Sequence, residues 1–258
     1  MRLDVYLFSK NLVKSRQKAK ILIEEGNVLV DNIIIKKSSY IIDESIEHNI
    51  QINDSCPYVS RGGLKLEKML NLLRLDLNDK VAIDIGSSTG GFTHCLLLNG
   101  ISKVYAVDSG SNQLHESLLA DSRVISMENF NAKDLSISII GDKVDIIVCD
   151  VSFISQKFII PVAKQLIKED GIYIGLIKPQ FEVGKSKIGK GGIVKEPKYH
   201  WDAIDKILNC SVDNGFKCIA FTKSPIYGGD GNTEYIVALS KNGLALSYEQ
   251  IKDLYKKG

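Results

Sequence analysis

Two sets of residues in this chain have the types and spacing to do chemistry. The first is a glycine-rich turn, Asp84-Ile85-Gly86-Ser87-Ser88-Thr89-Gly90-Gly91-Phe92-Thr93, at the end of the apolar run 81–85. Glycine lets backbone approach a ligand where any Cβ would collide. About twenty residues on, a second apolar run ends in Asp108, where a carboxylate can accept both ribose hydroxyls of an adenosine. The second set is dispersed: Lys65, Asp150, Lys178 and Glu234. Asp150 closes the apolar run 144–149, Lys178 closes 172–177, and Glu234 immediately precedes 235–239. Two amines and two carboxylates gathered at one rim can orient a substrate and move a proton. Charged residues end strands on many sheets, so the set of four carries this reading and no single member does.

The elements that must position them follow from the hydrophobic pattern. From residue 61 onward, strand patterns at 81–85, 103–107, 123–126, 144–149 and 172–177 alternate with helix patterns at 93–99, 112–120 and 155–168. A further helix, 61–74, precedes the first strand and carries Lys65. This alternation is the signature of an α/β fold, a parallel sheet wrapped by helices. Runs 216–222 and 235–239 add two strands at one edge, completing a seven-stranded Rossmann-like sheet. An antiparallel course for the last strand brings Glu234 to the rim formed by the carboxyl ends of the parallel strands, where such sheets bind ligands. The basic, glycine-rich stretch 184–195 reads as a surface loop.

Residues 1–48 form a separate, small α+β unit. Leu3, Leu7, Phe8 and Leu12 have helical spacing, Ser15 reads as an N-cap, and Ala19, Leu22 and Ile23 line the next helix, which Gly26 stops. Val28 and Val30 alternate as a strand, Asp31-Asn32 turns the chain, and 33–35 begins the return strand. Lys10, Lys14, Arg16, Lys18 and Lys20 lie in this helical pair with no acid between them. Like charges at i,i+4 cost a few tenths of a kcal/mol each, about what an anionic partner would relieve. Residues 49–60 are polar, lose periodicity and contain Pro57, so they are predicted to be a linker to the larger domain, 61–258.

The chain has 258 residues, 44% of them apolar, and a net charge of +2. That balance leaves no global field to attract nucleic acid, so any basic surface must be local. Five cysteines without C-x-x-C spacing argue against a disulfide framework or a zinc site and for reduced thiols in the cytoplasm. His94, His115 and His200 are scattered, and no metal is assigned. No signal-peptide core follows Met1, and no run approaches the ~18 apolar residues of a spanning helix. The expected setting is cytoplasmic, with no membrane partner.

Several phrases resemble known families. Arg2-Leu3-Asp4, Leu12-x-x-Ser15-Arg16-x-x-Ala19 and Leu22-Ile23-x-x-Gly26-x-Val28-x-Val30 are similar to the alpha-L RNA-binding motif, the S-four domain. Asn32 stands where that family commonly has glycine, and Asn tolerates positive φ. The turn Asp84-x-Gly86-x-x-x-Gly90-Gly91 resembles the first motif of S-adenosylmethionine-dependent methyltransferases. Tyr58-Val59-Ser60-Arg61-Gly62-Gly63-x-Lys65-Leu66, Asp150-Val151-Ser152-Phe153-Ile154-Ser155, Lys178-Pro179-Gln180-Phe181-Glu182 and Gly231-Asn232-x-Glu234-Tyr235 complete a resemblance to the TlyA family over nearly the whole chain. That family joins an alpha-L domain to an FtsJ-like methyltransferase domain, and its members are often labelled haemolysins as well.

The resemblance implies 2′-O-methylation of a cytidine in ribosomal RNA, with S-adenosylmethionine as cofactor and ribosomal RNA or ribosomal subunits as partners. It makes Lys65, Asp150, Lys178 and Glu234 the Lys-Asp-Lys-Glu tetrad of FtsJ/RrmJ-type enzymes. It assigns the cofactor to Asp84, Gly86, Ser87, Gly90, Gly91, Phe92, Thr93, Asp108 and Asn131, and RNA to the five N-terminal bases; Arg61, beside the linker, is a candidate either to touch RNA or to join the domains. Phe130 departs from the threonine usual beside Asn131.

A ribose hydroxyl is a poor nucleophile, so its proton must be removed as the methyl transfers. Lysine can do this only if its pKa falls well below the ordinary ~10.4. Burial and a second cation both push it down. Lys178 is then the base and Lys65 the second cation, with Asp150 positioning Lys178 and with Lys65 and Glu234 holding the ribose. The charge of the two carboxylates opposes the shift. Amino methylation of bases tends to use Asn/Asp-Pro-Pro-aromatic, which Asp150-Val151-Ser152-Phe153 lacks. Methylation at C5 needs a nucleophilic cysteine, and Cys149 reads as a small buried hydrophobe. A membrane-lytic protein would need a spanning helix, an amphipathic hairpin or an export signal. A non-catalytic RNA chaperone is disfavoured because all four tetrad positions are filled.

Overall fold

A computed structural model describes residues 1–13, 15–24, 26–52 and 56–257, and Lys14 lies outside the described residues. The chain divides into two compact units, Met1–Pro57 and Tyr58–Gly258.

In the first unit, α1 (Leu3–Ser9) and α2 (Arg16–Glu24) share a core with a small antiparallel sheet ordered β2-β1-β3. Its strands are β1 (Val28–Val30), β2 (Ile33–Ile34) and β3 (Ile50–Ile52). Ser15 caps α2, its Oγ accepting the Lys18 N–H at 3.1 Å. Asp31 and Asn32 both have positive φ, 52° and 66°, as a two-residue hairpin turn requires. Two expectations fail here. Helix α1 ends at Ser9, which leaves Phe8 and Leu12 exposed instead of on its apolar face. Strand β3 comes from the stretch assigned to the linker: Ile50 and Ile52 pair with Val30 and Val28. A three-residue alternation inside a polar segment is too short to read as a strand.

The second unit runs α3 (Gly62–Leu73), β4 (Val81–Ile85), α4 (Gly91–Leu98), β5 (Lys103–Val107), α5 (Glu116–Leu119), β6 (Val124–Met127), α6 (Ile137–Ile140) and β7 (Val144–Cys149). It continues with α7 (Ile160–Leu166), β8 (Ile167–Ile177), α8 (Pro179–Glu182), α9 (Pro197–Asp213), β9 (Lys217–Lys223), β10 (Tyr235–Ser240) and α10 (Tyr248–Lys257). The seven-stranded sheet has the order β6-β5-β4-β7-β8-β10-β9, with β10 antiparallel to both neighbours. Its central strands are near-continuous apolar runs because both faces are covered. From β4 the chain first builds outward through β5 and β6, then returns to lay β7 on the other side. Ligand crevices form at such a reversal, outside the carboxyl ends of the strands.

Two helical expectations need correction. The 112–120 segment is helical only over α5, because the Glu128 carboxylate accepts the backbone N–H groups of Asn112, Gln113 and Leu114 at 2.7–3.1 Å. The 155–168 helix is a single 3₁₀ turn followed by α7, and the chain is already strand at Ile167. Helices α9 and α10 were not anticipated, although α9 carries readable signals: Pro197 in its first turn and buried Ala203, Ile204, Ile207 and Leu208 at helical spacing.

Candidate active site

Lys65, Asp150, Lys178 and Glu234, drawn from four separate parts of the chain, form one ionic row. Lys65 Nζ lies 2.6 Å from Glu234 Oε2 and 3.4 Å from Asp150 Oδ2. Lys178 Nζ lies 2.6 Å from Asp150 Oδ1 and donates to Ser152 Oγ at 3.0 Å. Asp150 therefore stands between the two amines. Lys65 projects from α3, whose seat depends on two glycines: a Cβ on Gly63 would come within 2.3 Å of the Tyr58 ring, and one on Gly91 within 2.3 Å of Ser60 Oγ. Tyr58 also bonds Glu67 at 2.8 Å, and the Val59 N–H donates to His94 Nδ1 at 3.0 Å. Gly228 leaves room for Glu234, since a Cβ there would fall 2.5 Å from Glu234 Oε1.

The electrostatics of the row follow from its two carboxylates. Burial works against the charge on Lys65, but Asp150 and Glu234 outweigh it and hold the amine above its ordinary range. Lys65 is thus held as the charged member of the row. Burial likewise opposes the charge on Asp150, yet Lys65 and Lys178 together keep its carboxyl below the usual value. Cys149 is fully buried, and burial pushes its thiol up to about 12, which removes it as a nucleophile near neutral pH.

The glycine-rich turn lies beside the row. The Asp150 N–H donates to Ile85 O at 3.0 Å, and a Cβ on Gly86, where φ is +81°, would meet Asp150 O at 2.6 Å. Gly90 also has positive φ, and Gly91 opens α4. Asp84 is buried: its Oδ2 accepts from Thr93 Oγ1 at 2.7 Å, while among the described residues its Oδ1 and the Ser87 Oγ meet no donor or acceptor. Burial first, and then Asp150, push the Asp84 carboxyl up to about 7 against the Thr93 hydrogen bond. Phe92 and Thr93 are buried behind the turn and support it. Asp108 accepts the N–H of Ser88 at 2.8 Å and of Gly110 at 2.7 Å, which aligns its carboxylate with the turn. Asn131 is exposed, and its side chain caps the 3₁₀ turn Ala132–Asp134.

Several neighbours had no assigned role. Phe153 is 90% exposed and holds φ at +64°, unusual for a bulky side chain. Its ring packs 5.1 Å from that of Phe181, which lies 5.9 Å from Lys178 Nζ. Buried Glu182 ties the two loops together, accepting from Ser155 Oγ at 2.5 Å, the Gln156 N–H at 2.8 Å and Lys206 Nζ at 3.0 Å. The available signal was adjacency: each lies within five residues of Asp150 or Lys178. A cavity of about 490 Å³ adjoins Glu234, with Lys68 and Lys257 on its wall, and no residue of the glycine turn lines it.

The bases expected to meet RNA are distributed as follows. Lys10 and Lys20 are exposed and Lys18 is half-buried in the first unit. Arg16 is committed in part to structure, its guanidinium lying 3.2 Å from the fully buried Asp4, which Arg2 also holds at 2.9 Å. Arg61 belongs to the second unit and precedes α3. Among the described residues, no group of three or more His, Cys, Asp or Glu is placed to hold a metal ion. No described helix is long and apolar enough to cross a membrane.

A Rossmann-like sheet with a glycine turn and a Lys-Asp-Lys-Glu row at its rim defines a methyltransferase of the FtsJ type. Residues 58–241 match the FtsJ-like methyltransferase family and residues 1–45 match the S4 domain; the chain belongs to the FtsJ-like methyltransferase family. It is similar to the "Putative rRNA methyltransferase YqxC" of Bacillus subtilis, 42% identical over 239 residues, covering 92% of this chain and 85% of that protein. It is 34% identical over 253 residues to the "16S/23S rRNA (cytidine-2'-O)-methyltransferase TlyA" of Mycobacterium tuberculosis, covering 98% and 94%. A solved structure titled "Putative hemolysin from Streptococcus thermophilus" superposes with a TM-score of 0.79 at 36% identity, covering 100% of this chain and 94% of that one.

Proposed function

We propose that this protein transfers the methyl group of S-adenosylmethionine to a cytidine 2′-hydroxyl in ribosomal RNA, and so acts in the cytoplasm. The observation that carries the reading is the row Glu234–Lys65–Asp150–Lys178, two amines sharing one carboxylate at the switch point of the sheet. The residues of the turn fit the cofactor. A buried Asp84 oxygen without a donor suits a bound ammonium or the water that bridges to it. Asp108, with lone pairs beyond those given to Ser88 and Gly110, suits the ribose hydroxyls. When bound, S-adenosylmethionine supplies a methyl group already activated by its sulfonium.

The chain's residues then have to align and deprotonate the acceptor. Lys178, once neutral, takes the 2′-hydroxyl proton on Nζ, which Asp150 and Ser152 hold in place. Lys65, kept charged by its carboxylates, donates to the ribose oxygens, and Glu234 fixes Lys65. Positioning of this kind supplies much of the rate in a displacement at carbon. The exposed Phe153, braced by Phe181, offers a face on which the acceptor's base can stack. The N-terminal unit supplies phosphate contacts through Lys10, Lys18 and Lys20, with Lys14 as a further candidate there and Arg61 as one on the second unit.

The test is Lys178→Ala under single-turnover conditions with labelled cofactor. The expected result is a loss of roughly 10²–10⁴ in rate with unchanged cofactor affinity. A wild-type rate would remove Lys178 from its role.

A further inference from the structure

We propose that the glycine–lysine loop between α8 and α9 grips a phosphodiester of the RNA strand next to the acceptor ribose. This deepens the proposed function and rests on it for the identity of the strand. Residues 184–195 of the loop hold Lys185, Lys187, Lys190 and Lys195 and no acid, Glu196 following directly before α9, in a chain whose net charge is only +2. Lys187 is spent on structure, its Nζ lying 2.7 Å from Asp202. Lys185, Lys190 and Lys195 are exposed, and none has an ion-pair partner among the described residues.

The anchoring of the loop ties those charges to the active site. Asn232 is fully buried and two residues from Glu234. Its Oδ1 accepts the Val194 N–H at 3.0 Å, and its Nδ2 donates to Gly192 O at 3.0 Å. His200 Nε2 lies 2.8 Å from Val194 O and fixes the same limb. The other limb leaves α8, whose preceding residue is Lys178. The loop therefore bridges the two segments that carry Lys178 and Glu234.

Between the anchors, Gly191 and Gly192 have φ of +78° and +80°, and a Cβ on either would find no atom within 4 Å. Helical Lys190 followed by left-handed Gly191 is the backbone succession that turns neighbouring N–H groups toward one anion. A phosphate can thus approach bare backbone with a lysine on each side. A loop that only met solvent would not need a buried asparagine to hold it. Committing both ends of the Asn232 amide to residues 192 and 194 ties the loop to the segment that leads into Glu234, and contacts to phosphate from it would set the register of the strand without reading its sequence.

The experiment uses the full-length protein and an rRNA fragment. RNA affinity is measured by fluorescence anisotropy across a salt series for wild type, for Lys190→Ala with Lys195→Ala, for Lys190→Arg and for Lys217→Ala. Lys217 is exposed at the start of β9, on the opposite rim. Removing one cation that neutralises a phosphate lowers the slope of log affinity against log salt by about 0.7–0.9. The double variant should therefore show a slope smaller by about 1.5, Lys190→Arg should keep the wild-type slope, and Lys217→Ala should not change it. Cofactor affinity, read by calorimetry, should be unaltered in all. An unchanged slope in the double variant overturns the proposal, as does an equal fall with Lys217→Ala. Methyl transfer by the wild type is scored separately. Transfer with no slope change rejects the loop alone, whereas a slope change without ribose methylation rejects the proposed reaction and keeps the loop as an RNA contact.

Discussion

Replacing Glu234 with glutamine would remove one of two negative charges that neutralise two buried ammonium groups while nearly preserving shape. The Lys65 side chain is 9% exposed and that of Glu234 2%, at 2.6 Å. Stripping one partner from a buried ion pair costs about 3–5 kcal/mol. Two features reduce that figure here. Asp150 remains 3.4 Å from the Lys65 amine, and the glutamine oxygen can still accept a hydrogen bond. We expect a loss of about 2 kcal/mol, which for a unit of this size lowers the melting temperature by roughly 4–8 °C.

The pH dependence of that loss has a definite sign. Lys65 is held above its ordinary 10.5, so its stabilisation is complete below that pH and lost as pH rises through the folded value. Asp150 is held below 3.8, so its share is present above that pH and lost on acidification. The difference between wild type and Glu234→Gln should be flat from about pH 7 to 9 and shrink above about 10.5. Calorimetric or fluorescence melts over that range read it directly. A melting temperature within about 1 °C of wild type at pH 7, where at least 4 °C is expected, would refute the electrostatic reasoning.

Other expectations follow from local geometry. Gly86→Ala places a Cβ 2.6 Å from Asp150 O at a φ of +81°; it should cost about 1–3 kcal/mol and weaken cofactor binding, and an unaltered melt with unaltered calorimetry would contradict this. Phe153→Gly should relieve a left-handed side chain and raise stability by about 1 kcal/mol. The same variant should weaken productive RNA binding by about 1–3 kcal/mol, the worth of a single base stack, and a variant with wild-type KM for RNA would show that no base rests there. Burial pushes the Asp84 carboxyl up to about 7. A cationic ligand favours its ionised form, so affinity should tighten from pH 6 to 8 by up to about tenfold; Asp84→Asn should abolish the trend, and a flat profile in wild type would separate Asp84 from the cofactor.

Strands and site were far more legible in this sequence than helices were. Buried parallel strands leave uninterrupted apolar runs, and the residue that ends each run is the one at the rim, so Asp108, Asp150 and Lys178 could be read without knowing the sheet order, whereas Glu234, which precedes its run, needed the antiparallel course of the last strand. The four-residue α5 could not, because a carboxylate 14 to 16 positions away, Glu128, holds the segment before it. β3 is three residues long, and its strand character comes from pairing with β1. How firmly Lys65 is held charged was hidden for a related reason. Sequence reveals that two amines share a site, but only distances reveal that a carboxylate stands between them. Phe153 and Asn232 lay inside quoted motifs, yet their exposure and burial, which give them meaning, are tertiary properties.

The most direct test of the central claim is transfer of tritiated methyl from S-adenosylmethionine to purified ribosomal subunits, followed by mapping of the labelled nucleotide. The account predicts label on the 2′-oxygen of a cytidine, lost with Lys178→Ala or Asp150→Asn. Label on a base, or undiminished ribose label from either variant, would contradict it.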